Sequence, residues 1–329
     1  MIIVQTPLRI SFAGGGTDLH QYYQQRGGCV VNAAIDKATF VIVSARYDDK
    51  IYVNYSRKEI VDSAEQVQHE LVRETMKLAG IFHGIEVTML SDIPSEGSGL
   101  GSSSSFTVGL LNAFYQYRGE QVGPDRLARE ACEVEIGRCN KPIGKQDQYI
   151  AAFGGITAFD FEADGSVHAE RIGITDEQMR SFSSNLFLFY SDQTRSADEI
   201  LAQQSRRTPE NLEQLDRLKA LAQVARRALR SGDFDAIGHI LEESWSLKRT
   251  LAPQITNDRL NEMVQRAKKG GALGAKVCGA GGGGFVLIYC SSRHHQSLLE
   301  AMKNYRRMPI TLEPDGSKVI FNYRRPSWK

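Results

Sequence analysis

Pro94-Ser-Glu-Gly-Ser-Gly-Leu-Gly-Ser-Ser-Ser-Ser105 runs straight into Phe106-Thr-Val-Gly-Leu-Leu-Asn-Ala-Phe-Tyr115. Before it, Ile85-Glu-Val-Thr-Met-Leu-Ser-Asp-Ile93 alternates apolar and polar residues, the pattern of a half-buried strand. The unit therefore reads strand, glycine loop, helix N-terminus, with the helix spanning 103–117 and stopping at Gly119. Gly97, Gly99 and Gly101 leave no Cβ between the backbone and a ligand. The unpaired N–H groups of the first helical turn add partial positive charge, which suits an anion. Ser98, Ser102, Ser103 and Ser104 can cap that turn, and they also offer hydroxyls to a metal ion or a phosphate. A serine-capped helix after a plain loop has the same local look. Two further glycine-rich stretches in the chain favour a phosphate-binding loop over Gly97–Ser104, with Leu100 inside it.

No lysine stands before the serines of Leu100-Gly-Ser102, as a Walker loop requires. Ser102 also occupies the place where a dinucleotide fingerprint needs its last glycine. Counter-charge for the phosphates must come from elsewhere, and Mg²⁺ with an arginine is expected to supply it.

The chain has 329 residues, enough for two domains, and a formal net charge of +1. Nothing in that balance suggests nucleic acid or a membrane surface as a partner. The five cysteines, Cys29, Cys132, Cys139, Cys278 and Cys290, are scattered without zinc-like pairing and read as reduced packing residues. No apolar run approaches the roughly 18 residues of a membrane span. A soluble cytoplasmic protein is expected.

At the amino terminus, Val4-Gln-Thr-Pro-Leu-Arg-Ile-Ser-Phe-Ala-Gly-Gly-Gly-Thr-Asp18 reads as a strand, broken at Pro7, ahead of a triple glycine. Arg9 and Ser11 share one face by period two, and Ile10 and Phe12 the other. Arg9 then faces either a polar cavity or solvent. Asp18 either caps a short helix over 19–25 or grips sugar hydroxyls. Runs at Cys29–Ile35, Thr39–Tyr47 and Ile51–Tyr55, parted by Asp36-Lys37 and Asp48-Asp-Lys50, suggest a meander. Helices are expected over 64–79 and 124–138, the second carrying Glu135. Twelve residues on, Lys145-Gln-Asp-Gln-Tyr149 opens another helix, and the pair Glu135 and Asp147 can serve as metal ligand and catalytic group. A hairpin is expected over 156–172. The first domain is placed at 1–180 and the second, rich in helices, at 181–329. In the second, Gly279, Gly281 and Gly284 match G-x-G-x-x-G, but a strand follows where a dinucleotide site needs a helix. A loop between two strands that touches the first domain's ligand is the better reading. A helix over 296–306 and a hairpin over 309–323 close the chain. These pieces fit phosphoryl transfer, which needs charge neutralisation and a positioned hydroxyl.

The three glycine stretches, in this order, resemble the three motifs of the GHMP small-molecule kinases. Pro94–Ser105 is similar to their P-x-x-x-G-L-G-S-S loop, Lys276–Phe285 to their G-A-G-G-G motif, and Gly144-Lys-Gln-Asp-Gln148 to the stretch bearing their catalytic aspartate. The resemblance covers essentially the whole chain. It implies an α+β, two-domain fold: an ATP-binding domain like ribosomal protein S5 domain 2, with a left-handed crossover, and a ferredoxin-like second domain. It implies ATP on Gly97–Ser104, Asp147 as general base or orienting group, and Arg9 near the attacking hydroxyl. Glu135 and Ser103, or its neighbour Ser102, match the Mg²⁺ ligands. Gly15, Gly16, Thr17 and Asp18, with Gly281, Gly282, Lys145 and Arg195, are the implied substrate-binding residues. Gly14-Gly-Gly-Thr-Asp18 departs from the Gly-Glu-His-Thr-Asp of galactokinase, which puts galactose recognition in question. With Asp192–Ser196 and Trp245–Arg249 it looks like the branch that phosphorylates a heptose 7-phosphate at its anomeric oxygen, on the way to GDP-heptose for surface glycans. A sugar that already carries a phosphate needs further cations, and Arg138, Lys141, Lys145 and Arg195 are candidates. A kinase for free fucose or galactose, a non-catalytic ATP- and sugar-binding protein, and a homodimer remain open alternatives.

Overall fold

Alternating apolar residues build β1 (Ile2–Ala13) in the computed structural model, which describes residues 1–94, 97–194 and 197–323. After α1 (His20–Arg26) the chain returns antiparallel to β1 along β2 (Gly28–Ala45). The two expected runs of β2 are one strand. Asp36 and Lys37 do not part them, because the register steps from Pro7↔Ala38 to Leu8↔Ile35 and leaves both residues in a bulge. Pro7 likewise does not break β1: it sits at that bulge, where its missing N–H is tolerated. Ten residues of the expected 64–79 helix form α2 (Glu70–Ala79), preceded by β3 (Ile51–Asn54), β4 (Lys58–Val61) and a 3₁₀ turn at Ala64–Gln66. Then come β5 (Ile85–Ser91), α3 (Ser102–Arg118), α4 (Pro124–Cys132), α5 (Gln146–Phe153), and the expected hairpin of β6 (Ile156–Phe161) and β7 (Val167–Arg171).

The second half begins with α6 (Asp176–Ser184) and β8 (Leu186–Tyr190). Four helices follow: α7 (Ala197–Arg206), α8 (Leu212–Ser231), α9 (Phe234–Lys248) and α10 (Asp258–Lys269). They lead to β9 (Gly274–Val277), β10 (Phe285–Tyr289), α11 (His295–Ala301), β11 (Arg306–Met308) and β12 (Lys318–Asn322). Strands β11-β8-β10-β9 form a four-stranded antiparallel sheet. Counted along this half, that is order 4-1-3-2 with helices between strands one and two and between three and four, the split βαβ plan of ferredoxin-like domains.

The eight-stranded sheet runs β12-β1-β2-β5-β3-β4, with β6 on β2 and β7 on β6. The closing hairpin does not form. β12 pairs with β1, Ile2 opposite Asn322, and Leu312 bridges Ile35. The consecutive apolar residues Val319, Ile320 and Phe321 of β12 suit a strand but do not specify its partner, and the open edge of β1 takes it. Ile10, Phe12, Val31 and Ala33 on one face of β1 and β2 share a core with Leu215, Leu218 and Leu241 of α8 and α9. Their other face looks toward α3 and α5. No described helix is long and apolar enough to cross a membrane.

The two halves also meet backbone to backbone. The loop before α3 lies on the loop between β9 and β10, where the Phe285 N–H donates to the Ser98 carbonyl at 3.2 Å. A Cβ on Gly279 would stand 2.6 Å from the Gly99 Cα, and Gly279 has φ +62°. Gly279→Ala should therefore lower the urea midpoint by the equivalent of about 1–3 kcal/mol, since neither strand of the crossing can yield. An unchanged midpoint would show that the two loops separate freely.

Candidate active site

Four segments converge at this crossing: the end of β1, the start of α3, the turn into α5, and the continuation of α4. Arg9 on β1 is only 4% exposed, so the cavity alternative holds and the solvent-facing one does not. Its Nε donates to Asp147 Oδ1 at 2.8 Å and its Nη2 to Asp147 Oδ2 at 2.7 Å. Its Nη1 donates to the Gly99 carbonyl at 2.5 Å. A two-bond fork of this kind fixes the plane of the carboxylate as well as its distance. The side chain of Asp147 keeps 24% of its surface open, enough to be reached by a substrate.

Asp18 is buried. Its Oδ1 accepts from the Gly16 N–H at 2.9 Å and its Oδ2 from the Gln146 N–H at 3.2 Å. It does not cap α1, whose first position is taken by Leu19 without a side-chain bond. Instead it ties the triple glycine to the first turn of α5. Burial raises its pKa, against the opposing Gly16 bond.

The expected helix over 124–138 winds as α only to Cys132, and Glu133–Arg138 continues as a π turn. Glu135 is buried in this turn, on the face that Ala128 and Ala131 begin, and there Oε1 accepts from Ser103 Oγ and Oε2 from Gln148 Nε2, both at 2.6 Å. Burial pushes the Glu135 carboxyl up to about 7, with the Ser103, Ser104 and Gln148 bonds pulling the other way. No serine caps α3. Its N-cap is Gly101, at φ +79°, and it makes no side-chain cap bond. Ser102 Oγ instead meets Ser98 Oγ at 3.3 Å, and Ser105 Oγ donates to the Pro7 carbonyl at 2.8 Å. The hydroxyls are drawn away because Ser102–Ser105 lie inside the first turn, so its N–H groups keep no side-chain partner and stay available to an anion.

Ser103 Oγ and the Glu135 carboxylate are hard oxygen donors, the set that Mg²⁺ takes together with substrate phosphates. Among the described residues no group of three or more His, Cys, Asp or Glu could hold a metal unaided. A site with two protein oxygens, completed by phosphate, fits these residues.

The other expected residues are spread more widely. Thr17 Oγ1 donates to the Cys29 carbonyl at 3.0 Å, and Gly14 to Gly16 border Asp18. The Gly282 N–H donates to the Ile255 carbonyl at 2.8 Å, and Gly281 packs on the same carbonyl. Lys145 Nζ donates to the Gly165 carbonyl at 2.7 Å and lies 4.8 Å from the Tyr23 ring centre. Arg138 pairs with Glu133 at 2.7 Å, and Lys141 with Glu70 at 2.5 Å and Asp198 at 3.4 Å. Arg195 lies outside the described residues. All five cysteines are free.

Three residues near the site were given no role in the sequence reading: Gln148, Lys248 and Lys276. Lys248 Nζ donates to the Gly279 carbonyl, and Lys276 Nζ to the Ser11 carbonyl at 3.0 Å. Burial lowers the Lys248 amine to about 8, with Arg9 adding to it, and the Lys276 amine to about 7, with Lys248 adding to it. A signal was there. Lys248 follows Leu241 and Trp245 at helical spacing on an apolar stripe, a place where a lysine is seldom found.

Two family models match the chain: GHMP kinases N terminal domain over residues 62–155, and GHMP kinases C terminal over residues 225–306. The D-glycero-alpha-D-manno-heptose 7-phosphate kinase of Campylobacter jejuni is 30% identical over 92% of this chain and 93% of its own. A mevalonate kinase of Methanothermobacter thermautotrophicus is 25% identical over 87% of this chain and 91% of its own. The crystal structure of a D-glycero-D-manno-heptose 1-phosphate kinase from Bacteroides thetaiotaomicron superposes with a TM-score of 0.83 at 24% identity. It covers 98% of this chain and 100% of its own, a likeness of fold.

The buried amines give the site a pH signature. Folded Lys276 loses its proton near 7, whereas the unfolded chain keeps it to the ordinary 10.5. Between those values the unfolded state binds more protons, so this contribution to stability grows as pH rises and is lost as pH falls through 7. Denaturant midpoints measured from pH 7 to 10 should climb less steeply in Lys276→Met than in the unaltered chain. Parallel curves would mean that Lys276 stays charged in the fold.

Proposed function

The chain belongs to the GHMP kinase family and is a sugar kinase, a phosphotransferase with a hydroxyl acceptor, and from that premise we propose that it phosphorylates D-glycero-D-manno-heptose 7-phosphate from ATP. The product would be the 1,7-bisphosphate, on the way to a nucleotide-activated heptose for surface glycans. The similarity to the Campylobacter jejuni heptose 7-phosphate kinase supports this choice of acceptor.

One observation carries the catalytic reading: the Arg9–Asp147 fork stands beside the N-terminus of α3. Asp147 Oδ2 is 3.4 Å from the point where a Cβ on Gly101 would lie. A phosphoryl group resting on the free N–H groups of that turn therefore comes next to the carboxylate. Asp147 accepts a hydrogen bond from the anomeric hydroxyl and orients its oxygen toward the terminal phosphorus. As the new P–O bond forms and the bond to the ADP oxygen breaks, Asp147 takes the proton. Arg9 keeps the carboxylate in place and puts positive charge beside the transferring group. Asp18, held by Gly16 and Gln146, offers its carboxylate edge to sugar hydroxyls. Mg²⁺, when bound by Glu135 and Ser103, supplies neutralisation of phosphate charge. The Ser103–Glu135 bond favours Ser103 over Ser102 for that place.

Asp147→Asn keeps the shape and removes the base, so kcat should fall by about 10²- to 10⁴-fold while the ATP dissociation constant barely moves. Unchanged turnover sinks the assignment. The acceptor is tested by following ADP release from Mg-ATP with heptose 7-phosphate, mannose, fucose, galactose and mevalonate. Selective turnover of the heptose phosphate is expected, and turnover of a free sugar alone would overturn that choice while leaving the kinase.

A further inference from the structure

Lys248 and Lys276 belong to no part of the mechanism above, yet both are more than nine-tenths buried, at 6% and 4% exposure. A buried charge normally has an opposite charge beside it. Arg9 has Asp147. Among the described residues neither lysine makes an ion pair, and each amine is met only by backbone carbonyls: Gly279 for Lys248, Ser11 and Phe12 for Lys276. An ammonium has three N–H donors. Two on Lys248 and one on Lys276 are therefore left unused. Gln204 Nε2 is a further buried donor with no partner, and it comes within 2.5 Å of where a Cβ on Gly16 would stand. The carbonyls of Ser11 and Phe12 and the residue Gly16 all lie at the same end of β1, next to Asp18. The donors reach this end from α9, β9 and α7, the second-domain side. Donors without acceptors, two of them cationic, are the complement of an oxyanion.

We infer that Lys248 and Lys276 form an anion subsite of the acceptor pocket, which holds the phosphate that the sugar substrate itself carries. This rests on the sugar-phosphate reading above. The donor nucleotide is a poorer occupant, because its phosphates are provided for at the N-terminus of α3 by the free N–H groups and by the Mg²⁺ that Ser103 and Glu135 would hold. The burial that lowers both amines is the cost of keeping such cations dry before the ligand arrives.

The test compares Lys248→Met and Lys276→Met, each with its Arg counterpart, after circular dichroism has shown that the fold is kept. Inorganic phosphate is titrated by calorimetry into protein saturated with Mg²⁺ and a non-hydrolysable ATP analogue. Binding to the unaltered chain, weakened at least about tenfold in the Met variants and partly restored by Arg, is expected. In turnover, the Met variants should raise KM for the sugar phosphate by about tenfold or more and leave KM for ATP nearly unchanged. Phosphate binding that survives both Met changes overturns the subsite, as does a rise confined to the ATP KM. If heptose 7-phosphate turns over with its KM unaffected by the variants, the subsite falls and the kinase reading stands. If no sugar phosphate turns over but inorganic phosphate binds and the Met variants lose it, the subsite stands and the heptose reading falls.

Discussion

One guanidinium holds the site together. Arg9 uses its fork on Asp147 of α5, its remaining end on the Gly99 carbonyl, and its own backbone N–H on Leu100. Two segments distant in sequence, the loop before α3 and the first turn of α5, are thus fixed to β1. A lysine could reach one of them and would hold none in orientation. The arrangement depends on β1 passing unbroken through Pro7, since the bulge there sets which residues of β1 look toward α3 and α5. It depends equally on glycines at 99 and 279, without which the loop carrying the Gly99 carbonyl could not lie where it does.

Around that pair the ionisable groups share one tendency. Asp18 and Glu135 are pushed toward protonation, while Lys248 and Lys276 are pushed toward loss of a proton. The cause is the same in all four: too little water and too few opposite charges. A folded interior that discourages charges of both signs within one cleft is complete only when a ligand brings its own. Phosphates suit the amines, and a divalent cation suits the buried carboxylate.

Much of this was legible in the residues, and the gaps have physical causes. The strand, loop and helix around Gly97–Ser104 were readable because period two, glycine and period 3.6 follow each other cleanly. Asp147 and Glu135 were readable from the turn residues around them. The bulge at Pro7 was not, because proline reads as a break unless the partner strand is known. The π turn was invisible because its sequence is that of an ordinary helix, in which Glu135 already shares the buried face of Ala128 and Ala131. β12 misled because an apolar β-branched run specifies that it pairs, not with what. Helix α6 went unread, although Thr175 and Gln178, which form its capping box, mark its start. Lys276 shows the limit from the other side, since a lone lysine before a glycine run gives no hint that both faces of its strand are covered.

The pairing of β12 with β1 has a consequence for how the molecule is made. Met1 donates to the Tyr323 carbonyl at 2.5 Å across 322 positions of the chain. During synthesis, β1 leaves the ribosome before every other described element and β12 after them. For that whole interval the outer edge of β1 near Ile2–Gln5 lacks its ladder partner, and a bare edge is a template for stray strands. The register Ile2↔Asn322 is also a long-range contact, formed only after the second half has been translated and brought back to the first. The last strand is thus a clasp: it seals the sheet that carries Arg9 only once the helix and the strand bearing the buried lysines are in hand.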